Sequence, residues 1–193
     1  PIIIFKMKLF IKKMIDLPQY LKEVCVKKES NTNDYELQAE ANIIQPIFIR
    51  SNLVLKQKLS KGLSLFSLFW LTISQAVVKF IGINFKCKIQ VTAKATFIAE
   101  NCNFQPYDEK TECIVEIFAN SVGIFKNCNF KNGNKASIAI RDRSMATFTN
   151  CNFENGSNTL LLALDKSQIV VDCCTFRSAE RFSVYYTEIR FLK

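Results

Sequence analysis

Apolar residues alternate with polar neighbours in short runs along the second half of the chain, and the runs recur in register. Cys87, Ile89 and Val91 form one such run, and the spacing returns as Cys113/Val115/Ile117, Ala136/Ile138/Ile140 and Thr159/Leu161/Ala163. A period of two predicts β-strands. Each run leads, 13 residues after its last member, to a phenylalanine that closes a short motif: ENCNF at 100–104, KNCNF at 126–130, TNCNF at 149–153 and DCCTF at 172–176. Counting back from that Phe, Cys102, Cys128, Cys151 and Cys174 stand two positions before it, and Asn101, Asn127, Asn150 and Cys173 three before it. Ala99, Phe125, Phe148 and Val171 stand five before it, and the small residues Ala95, Ser121, Ser144 and Ser167 nine before it. The closing Phe residues are 26, 23 and 23 positions apart.

All variation in length falls between one closing Phe and the next run, where the inserts read QPYDEKTE, KNGNK and ENGSN. Asn132-Gly133 and Asn155-Gly156 are turn dipeptides, so one corner of the unit takes the insertions. A weaker unit, with Phe80, Gly82, Ile83 and Phe85, precedes the four, and Phe182, Val184 and Tyr186 begin another that is left incomplete. About 23 residues is too short for a helix-pair repeat and suits one coil of a parallel β solenoid, in which equivalent side chains stack in ladders about 4.8 Å apart. An Asn at a turn then satisfies its neighbour's amide, and Cys and Phe stack inside on their own kind. Leucine-rich repeats have a similar period but need an L-x-x-L-x-L stretch, which these units lack.

The repeat, reading F-x-N-C-x-F-x-N, resembles those of the right-handed parallel β-helix domains of the pectate-lyase-like superfamily. The resemblance spans residues 43–193, with PIFIRSNLVLK at 46–56 as an early coil, and is strongest over 87–176. The expected fold is all-β: a right-handed parallel β-helix of about six or seven coils. Residues 1–42 form an N-terminal cap and connector, helical in part around Leu21 and Val24.

Residues 62–78, GLSLFSLFWLTISQAVV, are nearly uncharged but interrupted by Ser, Thr and Gln, and fall short of a membrane span. They read as core strands leading into Phe80. For residues 1–28 three readings compete: a cap over the first coil, a basic membrane-surface segment or degraded signal sequence, and the vestige of an F-box in LPQYLKEV. Residues 29–42 read as an exposed polar connector.

Composition removes several mechanisms. The 193 residues contain no His, so His-based nucleophilic catalysis and His-bearing metal sites are absent. The net charge of +9 is spread along the chain and clusters only around Lys6, Lys8, Lys12 and Lys13, which does not make a nucleic-acid footprint. Eight Cys in 193 residues is too low a density for a disulfide framework. Their place in the repeat points to reduced core thiols, which favours the cytoplasm while leaving export open.

Enzymes of the superfamily act on acidic polysaccharides with stacked carboxylates beside Lys or Arg, sometimes with calcium. The resemblance therefore directs attention to the ladder eleven positions before the closing Phe: Ala93, Ala119, Asp142 and Asp165. Asp142 and Asp165 are expected about 5 Å apart on adjacent coils, flanked by Arg143 and Lys166. The pair has the separation for acid–nucleophile chemistry or a cation, and equally suits a solvated charge ladder beside a turn. The Cys ladder is linear and encircles nothing, which suits core packing and not a metal. The sequence thus points to a noncatalytic scaffold that binds a protein or carbohydrate partner, using no cofactor, with Asp142, Arg143, Asp165 and Lys166 as candidate binding residues. Two alternatives stay open: a carbohydrate-active enzyme of the pectate-lyase-like type, and the substrate-recognition module of an F-box-type ubiquitin ligase.

Overall fold

The computed structural model describes residues 25–27, 34–37, 41–43, 47–50, 52–57, 65–131, 136–154, 159–177 and 188–192. The first strands are β1 (Cys25–Lys27), β2 (Asp34–Leu37), β3 (Ala41–Ile43), β4 (Ile47–Ile49), β5 (Leu53–Gln57), β6 (Leu65–Ser74), β7 (Val77–Ile81) and β8 (Asn84–Thr92). The regular repeat follows as β9 (Thr96–Glu100), β10 (Asn103–Gln105), β11 (Cys113–Ile117), β12 (Val122–Lys126), β13 (Asn129–Lys131) and β14 (Ala136–Ile140). It continues through β15 (Met145–Thr149), β16 (Asn152–Glu154), β17 (Thr159–Ala163), β18 (Gln168–Asp172) and β19 (Thr175–Arg177) to β20 (Glu188–Leu192). No helix occurs among the described residues.

Each regular coil contributes three strands. One carries the alternating run, the second leads to the corner before the motif, and the third holds the closing Phe. The second strands stack in a nine-stranded sheet, β1-β2-β5-β7-β9-β12-β15-β18-β20, in which every pairing except β1 with β2 is parallel. The first and third strands share an eleven-stranded sheet because β8 runs through both positions. Only Lys86 separates Phe85 from Cys87, so there is no insert and the two segments fuse. The solenoid has about five regular turns. The segment at 62–78 supplies most of β6 and the start of β7, strands as expected. Part of the expected polar connector is strand, since β2 and β3 pair parallel with β5 and β6. The helical turn near Leu21, the F-box-like LPQYLKEV, the two Asn-Gly turns and the run from Phe182 to Tyr186 lie outside the described residues.

Backbone conformation explains the recurrent corner. The residue three before each closing Phe adopts the left-handed region: Gly82 (φ 70°), Asn101 (54°), Asn127 (52°), Asn150 (53°) and Cys173 (53°). Glycine and asparagine populate it at least cost. The corner amides of Gly82, Asn101, Asn127 and Asn150 donate across the coils, as Gly82 to the Glu100 carbonyl and Asn101 to that of Lys126, both at 2.9 Å. The expected amide-to-amide role belongs instead to the Asn just before the Phe. There Asn129 Nδ2 donates to Asn103 Oδ1 at 2.7 Å, and Asn103 Nδ2 in turn to Asn84 Oδ1.

The core is built of ladders. Phe85, Phe104, Phe130, Phe153 and Phe176 stack face to face with centroids 4.7–5.0 Å apart. A second column is staggered: Phe97 neighbours Gly123, while Ala99 neighbours Phe125. Large and small residues exchange places between these two coils, and the Phe97 and Phe125 rings meet edge to face at 5.6 Å. A side chain on Gly123 would drive into Ile117 Cδ1 and lie 2.8 Å from Phe125 Cε2. The Cys ladder lines the same interior, each thiol donating to main-chain carbonyls. Cys128 Sγ reaches Lys126 O at 3.3 Å and Ala99 O at 3.5 Å, and Cys102 and Cys151 repeat the arrangement one coil either side. Cys therefore fits this position as a small inward group whose proton satisfies a corner carbonyl.

Candidate functional site

Asp142 and Asp165 lie on the turns that join the first and second strands. Strand registers on both sides, Ile140 with Ala163 and Met145 with Gln168, place the two turns directly above one another. The turns close by i to i+3 bonds, Ala95 N to Thr92 O, Ser144 N to Arg141 O and Ser167 N to Leu164 O, at 3.2–3.3 Å. Their central residues have positive φ: Ala93 54° and Lys94 63°, Ala119 55° and Asn120 59°, Asp142 55° and Arg143 59°, with Asp165 also at 55°. Two successive left-handed residues make a type I′ turn, and Asp tolerates that conformation. The turn backbones join across coils through Lys94 N to Ala119 O and Asn120 N to Asp142 O. The small residue that follows each turn is buried. Ser144 Oγ accepts from Ser121 N at 3.0 Å, so a hydroxyl there serves the neighbouring coil.

All four candidate residues, Asp142, Arg143, Asp165 and Lys166, are exposed and form no ion pair among the described residues. Register stacks Asp on Asp and Arg on Lys at this corner. Two other carboxylates of the described ladders sit beside opposite charge, whereas Asp172, between Thr149 and Leu192, does not. Glu154 lies between Lys131 and Arg177 in register, with contacts of 3.3 and 3.8 Å, and the Asn152 amide followed by Lys131 lowers its pKa. Glu100 pairs with Lys79 at 2.9 Å and neighbours Lys126.

The most enclosed carboxylate is Glu116, which recurrence does not reveal because its column reads Gln90, Glu116, Ala139, Leu162. It is 9% exposed and takes three donors from two other coils: Gln90 Nε2 at 2.7 Å, Lys88 Nζ at 3.2 Å and Arg141 Nη2 at 3.4 Å. The alternating runs predicted inward Cys113 and Ala136 with polar outer neighbours, but Ile114 and Leu160 pack in the main core while Cys113, Ala136 and Ala139 form a separate buried cluster with Leu162 against it, so β11 and β14 are covered on both sides. Glu116 thus ties three coils together within a covered surface.

The outer face of the nine-stranded sheet is open by contrast. Its rows read Val77–Thr96–Val122–Met145–Gln168, then Lys79–Ile98–Ile124–Thr147–Val170, and last the charged row Ile81–Glu100–Lys126–Thr149–Asp172. Val77 is 47% and Met145 37% exposed, and the inner members of the first two rows are half-buried.

Cys87, Cys102, Cys113, Cys128, Cys151, Cys173 and Cys174 carry free thiols, and no group of three or more Cys, Asp or Glu among the described residues is placed to hold a metal ion. Burial pushes the Cys87 thiol far up and that of Cys113 to about 11, with the Glu116 charge adding to the latter. Cys128 is raised by its contacts with the thiols of Cys102 and Cys151 and by burial. Cys173 faces solvent and Cys174 is half-buried, as alternation requires.

These ladders, the left-handed corners and the parallel pairing meet their counterpart in sequence: a family model described as the right-handed beta helix region matches residues 63–190. The chain belongs to that family. No curated protein and no solved structure gives a significant match to it. No helix among the described residues of this β-helix is long and apolar enough to cross a membrane.

Proposed function

We propose that this β-helix is a noncatalytic scaffold that binds a protein or glycan partner through an outer face of its solenoid. The observation that carries the reading is the open face of the nine-stranded sheet, where register holds Val, Ile, Thr and Met side chains in straight, half-exposed rows. A regular surface of aliphatic and hydroxyl side chains flanked by a charged row is what a partner buries on docking. The carboxylates add to the case: Glu116 has its oxygens occupied by three donors, and Glu154 and Glu100 are ion-paired. The like-charge stack of Asp142 and Asp165 favours a second reading, a carbohydrate-active enzyme of the pectate-lyase-like type with those two residues as its acids.

One comparison separates the two. Ile98→Lys with Ile124→Lys is expected to abolish binding on a glycan array or to a purified protein partner, with circular dichroism unchanged, while Asp142→Asn and Asp165→Asn leave binding intact. Release of products from an acidic polysaccharide by the wild-type chain, lost on Asp142→Asn, would overturn the scaffold reading.

A further inference from the structure

We infer that Cys151 and Cys174 form an oxidisable pair at the last described rungs of the thiol ladder, where hydrogen peroxide joins two neighbouring coils by a disulfide. The pair occupies adjacent rungs: Thr149 is in register with Asp172 and Asn152 with Thr175. Adjacent rungs put the two Cα atoms about 4.8 Å apart, within the range of about 4.4–6.8 Å that a disulfide spans. Both side chains turn inward, since Cys151 belongs to the core and Cys174 packs against it, and Cys174 Sγ accepts the Cys151 amide at 3.3 Å.

Access singles out this pair within the ladder. Cys102 and Cys128 are fully buried and Cys151 is 2% exposed, whereas Cys174 is only half-buried. Cys173 is more exposed still, but its thiol lies on the outside, donating to Asp172 Oδ1 at 3.1 Å, and has no cysteine across the coil. The neighbour that can resolve an oxidised Cys174 is therefore Cys151. The Cys174 sulfur attacks one oxygen of the peroxide, the O–O bond breaks, and the thiol proton leaves with the departing hydroxide as water. The Cys151 sulfur then displaces hydroxide from the sulfenic acid, forming the S–S bond and releasing a second water. Two thiols lose two electrons and two protons, and the peroxide is reduced to two waters.

The test treats the full chain with hydrogen peroxide, blocks remaining thiols under denaturing conditions, and maps peptides by mass spectrometry without reduction. The expected result is a fall of two from the chain's eight thiols, a cross-link between the Cys151 and Cys174 peptides lacking two hydrogens, and reversal by dithiothreitol. Cys173→Ser should keep the cross-link and Cys174→Ser should lose it. Should Cys174→Ser fail to fold, the wild-type and Cys173→Ser maps decide alone. Eight surviving thiols, a Cys173–Cys174 link, or an intermolecular link through Cys173 in place of the pair would each overturn the proposal.

Discussion

Replacing Phe130 by Ala tests whether the aromatic column holds the coils together. Phe130 is fully buried, stacks on Phe104 at 4.7 Å and on Phe153 at 4.8 Å, and meets Phe125 and Phe148 edge to face. Truncating a buried Phe costs about 3–5 kcal/mol, through lost transfer energy and a cavity the neighbours fill only partly. A domain of this kind is worth about 5–15 kcal/mol in total, so the loss is a large share. At about 2–4 °C per kcal/mol for a chain of this length, the midpoint should drop by about 6–20 °C. A solenoid couples each coil to its neighbours alone, so the lesion should also separate the unfolding of the coils before and after it. Phe176 lies at the last described rung of the column and is only partly buried, and Phe176→Ala should cost about half as much, in proportion to the area it hides. Urea titrations followed by circular dichroism measure both. Equal losses for the two variants, or a loss below about 1 kcal/mol for Phe130→Ala, would refute the ladder as the source of stability.

Four further outcomes follow from the same geometry. Gly123→Ala should destabilise by about 1–3 kcal/mol through overpacking against Ile117 and Phe125, and a paired Phe125→Leu should recover part of that in the same titration. Asn127→Ala should cost about 1–2 kcal/mol at its left-handed corner while Asn127→Gly is close to neutral, as midpoints in urea would show. Glu116→Ala should lower stability by about 2 kcal/mol, less than a fully buried pair because Lys88 and Arg141 reach solvent, and Glu116→Gln by less; a salt titration of the midpoint checks the ionic part. Stability should fall as pH rises from 9.0 towards about 11: the unfolded chain releases the Cys113 proton near 9.0, whereas the folded chain keeps it until about 11. That thiol contributes a slope of up to about 1.4 kcal/mol per pH unit, and Cys113→Ala should flatten the urea-midpoint profile across this window.

Where a residue recurs, its role could be read from the sequence; where it acts once, register was needed. The Cys and Phe columns and the corner Asn were legible because every coil solves the same backbone problem with the same side chain. The coil before Phe85 is faint for a definite reason. Between Ile73 and Ala76 only Ser74 and Gln75 form the turn, one residue fewer than Thr92, Ala93 and Lys94 in the next coil, so counting back from Phe85 loses the inward positions beyond it. Leu71 and Ile73 nevertheless fall beside Ile89 and Val91. The staggered Phe97/Gly123 column could have been found as an exchange of size, since Phe-x-Ala in one coil becomes Gly-x-Phe in the next. Glu116 could not, because it appears once in its column and takes its donors from two other coils. Asp142 and Asp165 were placed correctly on adjacent turns, yet the same column holds Ala93 and Ala119 in the same left-handed conformation.

That column separates what the fold requires from what it leaves open. Ala and Asp occupy equivalent turns with φ of 54–55°, so backbone conformation does not demand a carboxylate there. Alternating charge, which stabilises the rungs around Glu154, is also absent at this corner, where Asp stacks on Asp and Arg143 on Lys166. Two exposed like charges about 5 Å apart repel only weakly in water, so the solenoid tolerates them at little cost. Stability therefore neither explains nor forbids the stacked pair, and the open apolar rows on the nine-stranded sheet stand in the same position. Val77 at 47% exposed and Met145 at 37% contribute little to the core, yet their strands carry Val78 and Ala146 inward at full burial. On a strand the inward residue is fixed by the ladder, while the outward one is free to answer to a partner. Binding and stability should consequently separate by face: outward substitutions such as Ile98→Lys should leave unfolding nearly unchanged, and inward ones such as Phe130→Ala should weaken both.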